Sequence, residues 1–143
     1  MGLMTTNHDL VLLFTDDSDF IEHAAYQLKA LGLQMVPVLT QDELLRSIRD
    51  ERPALVLVHW DTLGESALRF CSFLKASLLR RAAPVAIVRE GRGGGRFVTG
   101  ALASGADDVI EDAREPRLFA ARLRALLRWA PPLAAELGNP ATP

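Results

Sequence analysis

A single cysteine, Cys71, rules out an internal disulfide and fits a reducing compartment. No apolar run approaches the roughly 18 residues needed to cross a bilayer. No basic segment followed by an apolar stretch marks a secretory signal. The expected location is therefore the cytoplasm, with no membrane partner. Motifs for a nucleophile, its base and an orienting group are also missing, so an enzyme is not expected. The glycine run Gly91-Arg92-Gly93-Gly94-Gly95 lacks the spacing of a phosphate cradle, and no Gly-Lys-Ser/Thr follows it. It reads as a flexible loop. A formal net charge of −2 argues against general nucleic-acid binding.

What is present is a chain of 143 residues, 49% hydrophobic and 24% charged, enough for one domain around one core. The charge is unevenly spread. Residues 1–68 hold four basic and eleven acidic side chains, and residues 69–143 hold twelve basic and seven acidic. Such asymmetry suits a polar interaction surface as well as two solvated faces. Cys71 lies in a helical apolar pattern beside Phe70 and Phe73, which suits a buried structural thiol.

Apolar runs alternate with amphipathic stretches. Leu10–Phe14 is a continuous apolar run, followed by a helix over 20–31 whose face holds Phe20, Ile21, Ala24, Ala25, Leu28 and Leu31; Gly32 stops it. Val36–Leu39 is a short strand in which Pro37 indicates an edge. A helix follows over 41–52, a third strand over 55–58 and a third helix over roughly 65–81. Val85–Val88 makes a fourth strand, a short helix runs to Ser104, and Val109-Ile110 is the centre of a fifth strand. Pro116 opens a last helix that runs to Trp129. Strands apolar on both faces and joined by helices imply a parallel sheet covered on both sides. The expected fold is α/β, a flavodoxin-like doubly wound five-stranded parallel sheet. Residues 9–130 make the domain, and 131–143 read as a Pro-rich tail or linker.

In such sheets the functional site lies at the carboxyl ends of the strands. Here these ends carry Asp16-Asp17, His59, Arg89-Glu90 and Glu111-Asp112. The acidic pair after the first strand, the Pro53-Ala54-Leu55-Val56-Leu57-Val58 strand and the Gly105-Ala106-Asp107-Asp108 run all resemble the receiver domains of bacterial response regulators. The resemblance covers roughly residues 9–129. It implies a signalling domain whose acidic pair holds Mg²⁺ and whose third strand ends in a phospho-accepting aspartate. A Thr or Ser, an aromatic switch residue and a Lys complete the family's set.

On that resemblance only Asp16 and Asp17 match. His59 stands at the acceptor position, Arg89 at the Thr/Ser position, Val109 at the aromatic position and Asp112 at the Lys position. A histidine cannot form the acyl phosphate that a carboxylate forms. A carboxylate at position 112, ~5 Å from a phosphoryl charge, would repel it by roughly 3 kcal/mol per unit charge at an effective dielectric near 20. The expectation is a pseudo-receiver, a phosphorylation-independent module that works by protein–protein interaction and needs no cofactor. Two alternatives stand beside it. One is an atypical receiver, phosphorylated at Asp61 or regulated by Mg²⁺ at Asp16 and Asp17. The other is a receiver-like small-molecule sensor. Against a metal site, Asp17, Ser18 and Asp19 suit the cap of the first helix. Arg89 is the candidate counter-ion for the acidic pair.

The last helix sets Arg117, Arg122, Arg124 and Arg128 against an apolar stripe. These arginines are interface candidates, since the guanidinium fork pairs well with carboxylates. The expected partners are a signalling protein or an output domain, with a homodimer through the fourth-helix/fifth-helix face as a further option.

Overall fold

The structure is a computed structural model that describes residues 7–76 and 83–129. Five strands form one parallel sheet in the order β2-β1-β3-β4-β5. They are β1 (Asn7–Phe14), β2 (Gln34–Val38), β3 (Pro53–His59), β4 (Val85–Val88) and β5 (Asp108–Ile110). Among the described residues six helices join them: α1 (Ser18–Ala30), α2 (Gln41–Glu51), α3 (Trp60–Leu63), α4 (Ser66–Ala76), α5 (Gly94–Ala103) and α6 (Pro116–Trp129). This is the expected flavodoxin-like order, with β2 and its Pro37 at an edge. A proline is tolerated there because no neighbour needs its missing N–H.

The third strand is buried along its whole length, as a central strand covered on both faces must be. Alternation along the strands sorts their side chains into two layers. Val11 and Leu13 of β1, Leu55 and Leu57 of β3, and Ala86 and Val88 of β4 pack against α1 and α6 through Phe20, Phe119 and Leu123. The intervening residues, among them Leu12, Val56, Val58 and Ile87, pack against α2, α4 and α5. This parity governs which strand-end side chains can meet.

The helix ends follow their local chemistry. Oδ1 of Asp17 accepts the backbone N–H groups of Asp19 and Phe20 at 3.0 and 3.2 Å, so Asp17 caps α1. Gly32, at φ +79°, lets the chain turn out of α1. The helix expected over roughly 65–81 begins at Ser66 and is preceded by the separate turn α3, closed by Gly64 at φ +56°; residues 77–82 lie outside the described residues. The glycine run is also pinned, since the Gly93 N–H donates to Glu111 Oε2 at 2.6 Å and α5 already starts at Gly94. The tail over 131–143 lies outside the described residues.

Cys71 is fully buried between α4 and the sheet. Burial, reinforced by the nearby charge of Asp107, raises its thiol pKa to about 12. The thiol therefore stays protonated in the folded protein while the unfolded chain ionises near 9.0. Its contribution to stability is complete below that value and is lost as pH rises from there toward 12. Folded protein at pH 8 should resist alkylation by iodoacetamide and react fully in urea. Fast labelling without denaturant would contradict the burial.

Candidate functional site

The carboxyl end of β3 places His59 at the centre of the site, with no exposed surface. Its parity is that of Leu55 and Leu57, so the ring faces the α1/α6 layer and stacks on Phe20, centroids 4.1 Å apart and planes 4° from parallel. Phe14 pairs with Val58 in the sheet register, which sets Thr15 level with His59 on that same face. The Thr15 hydroxyl lies 2.8 Å from His59 Nδ1 and 2.9 Å from the Thr62 hydroxyl, which is itself 2.8 Å from Nδ1. The Asp17 N–H donates to Thr15 Oγ1 at 3.1 Å.

The other ring nitrogen meets a carboxylate. His59 Nε2 lies 2.8 Å from Glu90 Oε2 and 3.6 Å from Asp61 Oδ1. An ionised carboxylate only accepts, so Nε2 carries the proton that it donates to Glu90. Nδ1 can then accept from a threonine hydroxyl, and both polar edges of the buried ring are satisfied. Asp61 is held as well, its Oδ1 accepting the Glu90 N–H at 2.9 Å.

Glu90 is bridged on its outer side by Arg114, whose Nε donates to Oε1 at 2.8 Å. Arg114 also reaches Asp19 at 3.5 Å and lies over the Phe20 ring at 5.7 Å. Phe20 thus has His59 stacked on it and the Arg114 cation over it, while Glu90 ties those two groups together. Burial works against the charged form of Glu90. Hydrogen bonds from Arg114 and His59 outweigh it and hold the carboxyl below its ordinary 4.5. The hydrogen bond to Glu90, with added charge from Asp19 and Asp17, pushes Arg114 further toward its charged form.

A folded-state pKa depressed in this way makes the Glu90 contribution complete above about pH 4.5 and lost as pH falls through the native value. Urea unfolding between pH 7 and 3 should show native protein losing stability relative to Glu90→Gln on acidification. Parallel curves would mean that the carboxylate carries no such contribution.

The site differs from the sequence-derived one in a consistent way. Asp16 is exposed, Asp17 serves as a helix cap, and the residue beside His59 is Thr15. The group with metal-ligand spacing is Asp17, His59 and Glu90, not Asp16 and Asp17: their candidate donor atoms lie within 4.8 Å of one another. Arg89 does not reach the acidic residues. It shares parity with Ile87, so it leaves the sheet on the opposite face, where its guanidinium lies 4.6 Å from the Phe97 ring centre and 5.4 Å from that of Trp60. The counter-ion is Arg114. Val109 packs in the α4/α5 layer away from His59. The Asp112 carboxylate takes Arg92 Nε at 2.6 Å, so its charge is compensated and the repulsion expected from it is reduced. Arg117, Arg122, Arg124 and Arg128 are exposed on α6, and Arg117 and Arg124 line a shallow cleft with Gln27 and Leu31 of α1. No helix among the described residues is long and apolar enough to cross a membrane.

No protein-family model matches the chain. It is 29% identical over 126 residues to the phosphate regulon transcriptional regulatory protein PhoB of Klebsiella pneumoniae, covering 88% of this chain and 55% of that protein. It is also 29% identical over 125 residues to the DNA-binding response regulator MtrA of Mycobacterium tuberculosis, covering 87% and 53%. The chain thus spans about half the length of these relatives. The fold matches a crystal structure of a response regulator from Thermotoga maritima with a TM-score of 0.72 at 16% identity, over 83% of this chain and 97% of that one. In sequence the chain is thus similar to response regulators, and in fold to a response-regulator structure.

Proposed function

We propose that this receiver domain signals without phosphoryl transfer, as a pseudo-receiver whose state is set by the partners it binds. One observation carries the reading: the strand-end residue that the resemblance sets at the acceptor position is a buried histidine whose polar edges are both engaged inside the protein. Phosphorylation on that ring would require Nε2 to leave Glu90 or Nδ1 to leave its threonines. Glu90 adds negative charge where a phosphoryl group would sit, and Arg114 already neutralises it.

The donor set that gathers here, Asp17, His59 and Glu90, includes an imidazole nitrogen, which suits Mg²⁺ less well than the carboxylates and waters that usually hold that ion. Thr15, and not a carboxylate, stands level with His59, and Asp16 is exposed. Asp61 remains the alternative acceptor. Its Oδ1 is engaged by the Glu90 N–H, and the Glu90 carboxylate beside the same ring nitrogen sets a second negative charge against an incoming phosphoryl group.

The relatives carry as much sequence again as this chain spans, and one of them is described as DNA-binding. An output domain, joined or separate, is therefore the partner class that this reading favours. The exposed arginines of α6 are its candidate contact surface, whether for that domain or for a second copy.

Amide NMR with Mg²⁺ and then beryllofluoride, alongside label uptake from acetyl phosphate, tests the reading. The expected result is no saturable shift at Thr15, Asp17, His59 or Asp61 and no label. Saturable shifts spreading to Arg89 and Val109, or label on Asp61, would establish a working phosphoryl switch in its place.

A further inference from the structure

We infer that Asp17, His59 and Glu90 form a site for a late first-row divalent cation, zinc being the natural probe, which binds in exchange for Arg114. The candidate donor atoms, two carboxylate oxygens and one ring nitrogen, lie within 4.8 Å of one another, so a modest contraction brings all three to a single ion. A set that includes imidazole favours zinc and its neighbours over magnesium. The ring is prepared for this role. It is fully buried, clamped flat on Phe20, and its Nδ1 faces the hydroxyls of Thr15 and Thr62. When the ion takes Nε2, the proton there moves to Nδ1, and a threonine oxygen accepts the new N–H. That is the outer-shell hydrogen bond that orients a ligating histidine. Asp17 contributes without losing its cap, since both backbone N–H groups go to Oδ1 and Oδ2 is available to the ion.

The cation now facing these carboxylates is Arg114. A divalent ion between Glu90 and His59 would repel that guanidinium and break its bond to Glu90. Arg114 lies two residues before Pro116, the first residue of α6. Binding would therefore be felt at the start of the helix that carries Arg117, Arg122, Arg124 and Arg128. The inference rests on the reading that this pocket answers to something other than a phosphoryl group, and it names one such input.

The test uses the full chain without a histidine tag, stripped with EDTA and titrated with Zn²⁺ alone or Mg²⁺ alone. Calorimetry and melting temperature are read together with the NMR signals of the His59 ring and Arg114 Nε. One equivalent of Zn²⁺ should bind saturably, raise the melting temperature and shift both signals, while Mg²⁺ does neither. Glu90→Gln and Asp17→Asn should each weaken Zn²⁺ binding by more than the roughly 10- to 100-fold that loss of an outer-shell partner costs. Arg114→Gln should strengthen it by at least roughly tenfold, through loss of a competing charge. A double substitution of His8 and His23 by Gln should leave it unchanged. Absence of saturable binding in both the native chain and Arg114→Gln would overturn the inference, as would binding that Glu90→Gln leaves intact. A negative zinc titration leaves the phosphorylation-independent reading standing, whereas beryllofluoride binding removes that reading without deciding the zinc result.

Discussion

Phe20→Ala should lower the unfolding free energy by about 3–5 kcal/mol, the range for deleting a buried phenyl ring, and should also release His59. Phe20 has no exposed surface and lies in the layer with Phe119, Leu28 and Leu57. It also forms the floor under the His59 ring and lies beneath the Arg114 cation. A stacked ring pair of this kind contributes about 0.5–1.5 kcal/mol beyond the area that it buries. Phe20→Leu keeps most of the apolar volume and loses the flat surface, so it separates the two effects. Chemical denaturation should place Phe20→Leu between native protein and Phe20→Ala. The NMR signals of the His59 ring should broaden or shift in both. Equal stability of Phe20→Leu and native protein, with an unmoved His59, would show that the stack is incidental to the site.

How far the site could be read beforehand depends on parity. The fold was legible because each element carries its own signal: the unbroken apolar run of β3, Pro37 at the edge, and Gly32 after the helical stripe of α1. The cap at Asp17 was legible for the same reason, being a local contact over two and three residues. The partners of His59 were only half legible. Alternation already puts Thr15 on the face of Val11 and Leu13, and Arg89 on the opposite face from Val88. The period of two in the strands thus contained the signal that Thr15 meets His59 directly. Chain order alone does not show that Arg114 would be the counter-ion, because Arg114 follows β5 and reaches Glu90 across the top of the sheet. Nothing in its neighbourhood distinguishes it from the other arginines around α6. Asp112 misled for a related reason. Its position relative to the Gly105-Ala106-Asp107-Asp108 run was readable, but its pairing with Arg92 depends on the left-handed backbone at φ +52° and on how the glycine-rich turn folds back.

Restoring a carboxylate at the end of β3 is the change with the largest expected consequence. His59→Asp alone should destabilise the domain by about 3–5 kcal/mol, because it replaces one partner of a buried polar pair with a group that repels the other. The new carboxylate would face Glu90, 2.8 Å from the present ring nitrogen, with Asp61 also nearby. It would lose the stack on Phe20 and the ring contacts to Thr15 and Thr62, and the shorter side chain leaves a void. Two facing carboxylates share a proton, so the folded pair holds a raised pKa. A raised folded-state pKa makes the penalty smallest below the ordinary carboxylate range and largest as pH rises through the folded value. Urea unfolding of His59→Asp should therefore show stability improving from pH 7 to pH 5, where native protein changes little. Adding Glu90→Ala should recover part of the loss at pH 7, since it removes the opposing charge and leaves Arg114 to approach the new aspartate. Failure of Glu90→Ala to improve His59→Asp would mean that the cost lies in the lost stack and cavity. An undiminished stability of His59→Asp would mean that the histidine is not what excludes a carboxylate from this strand end.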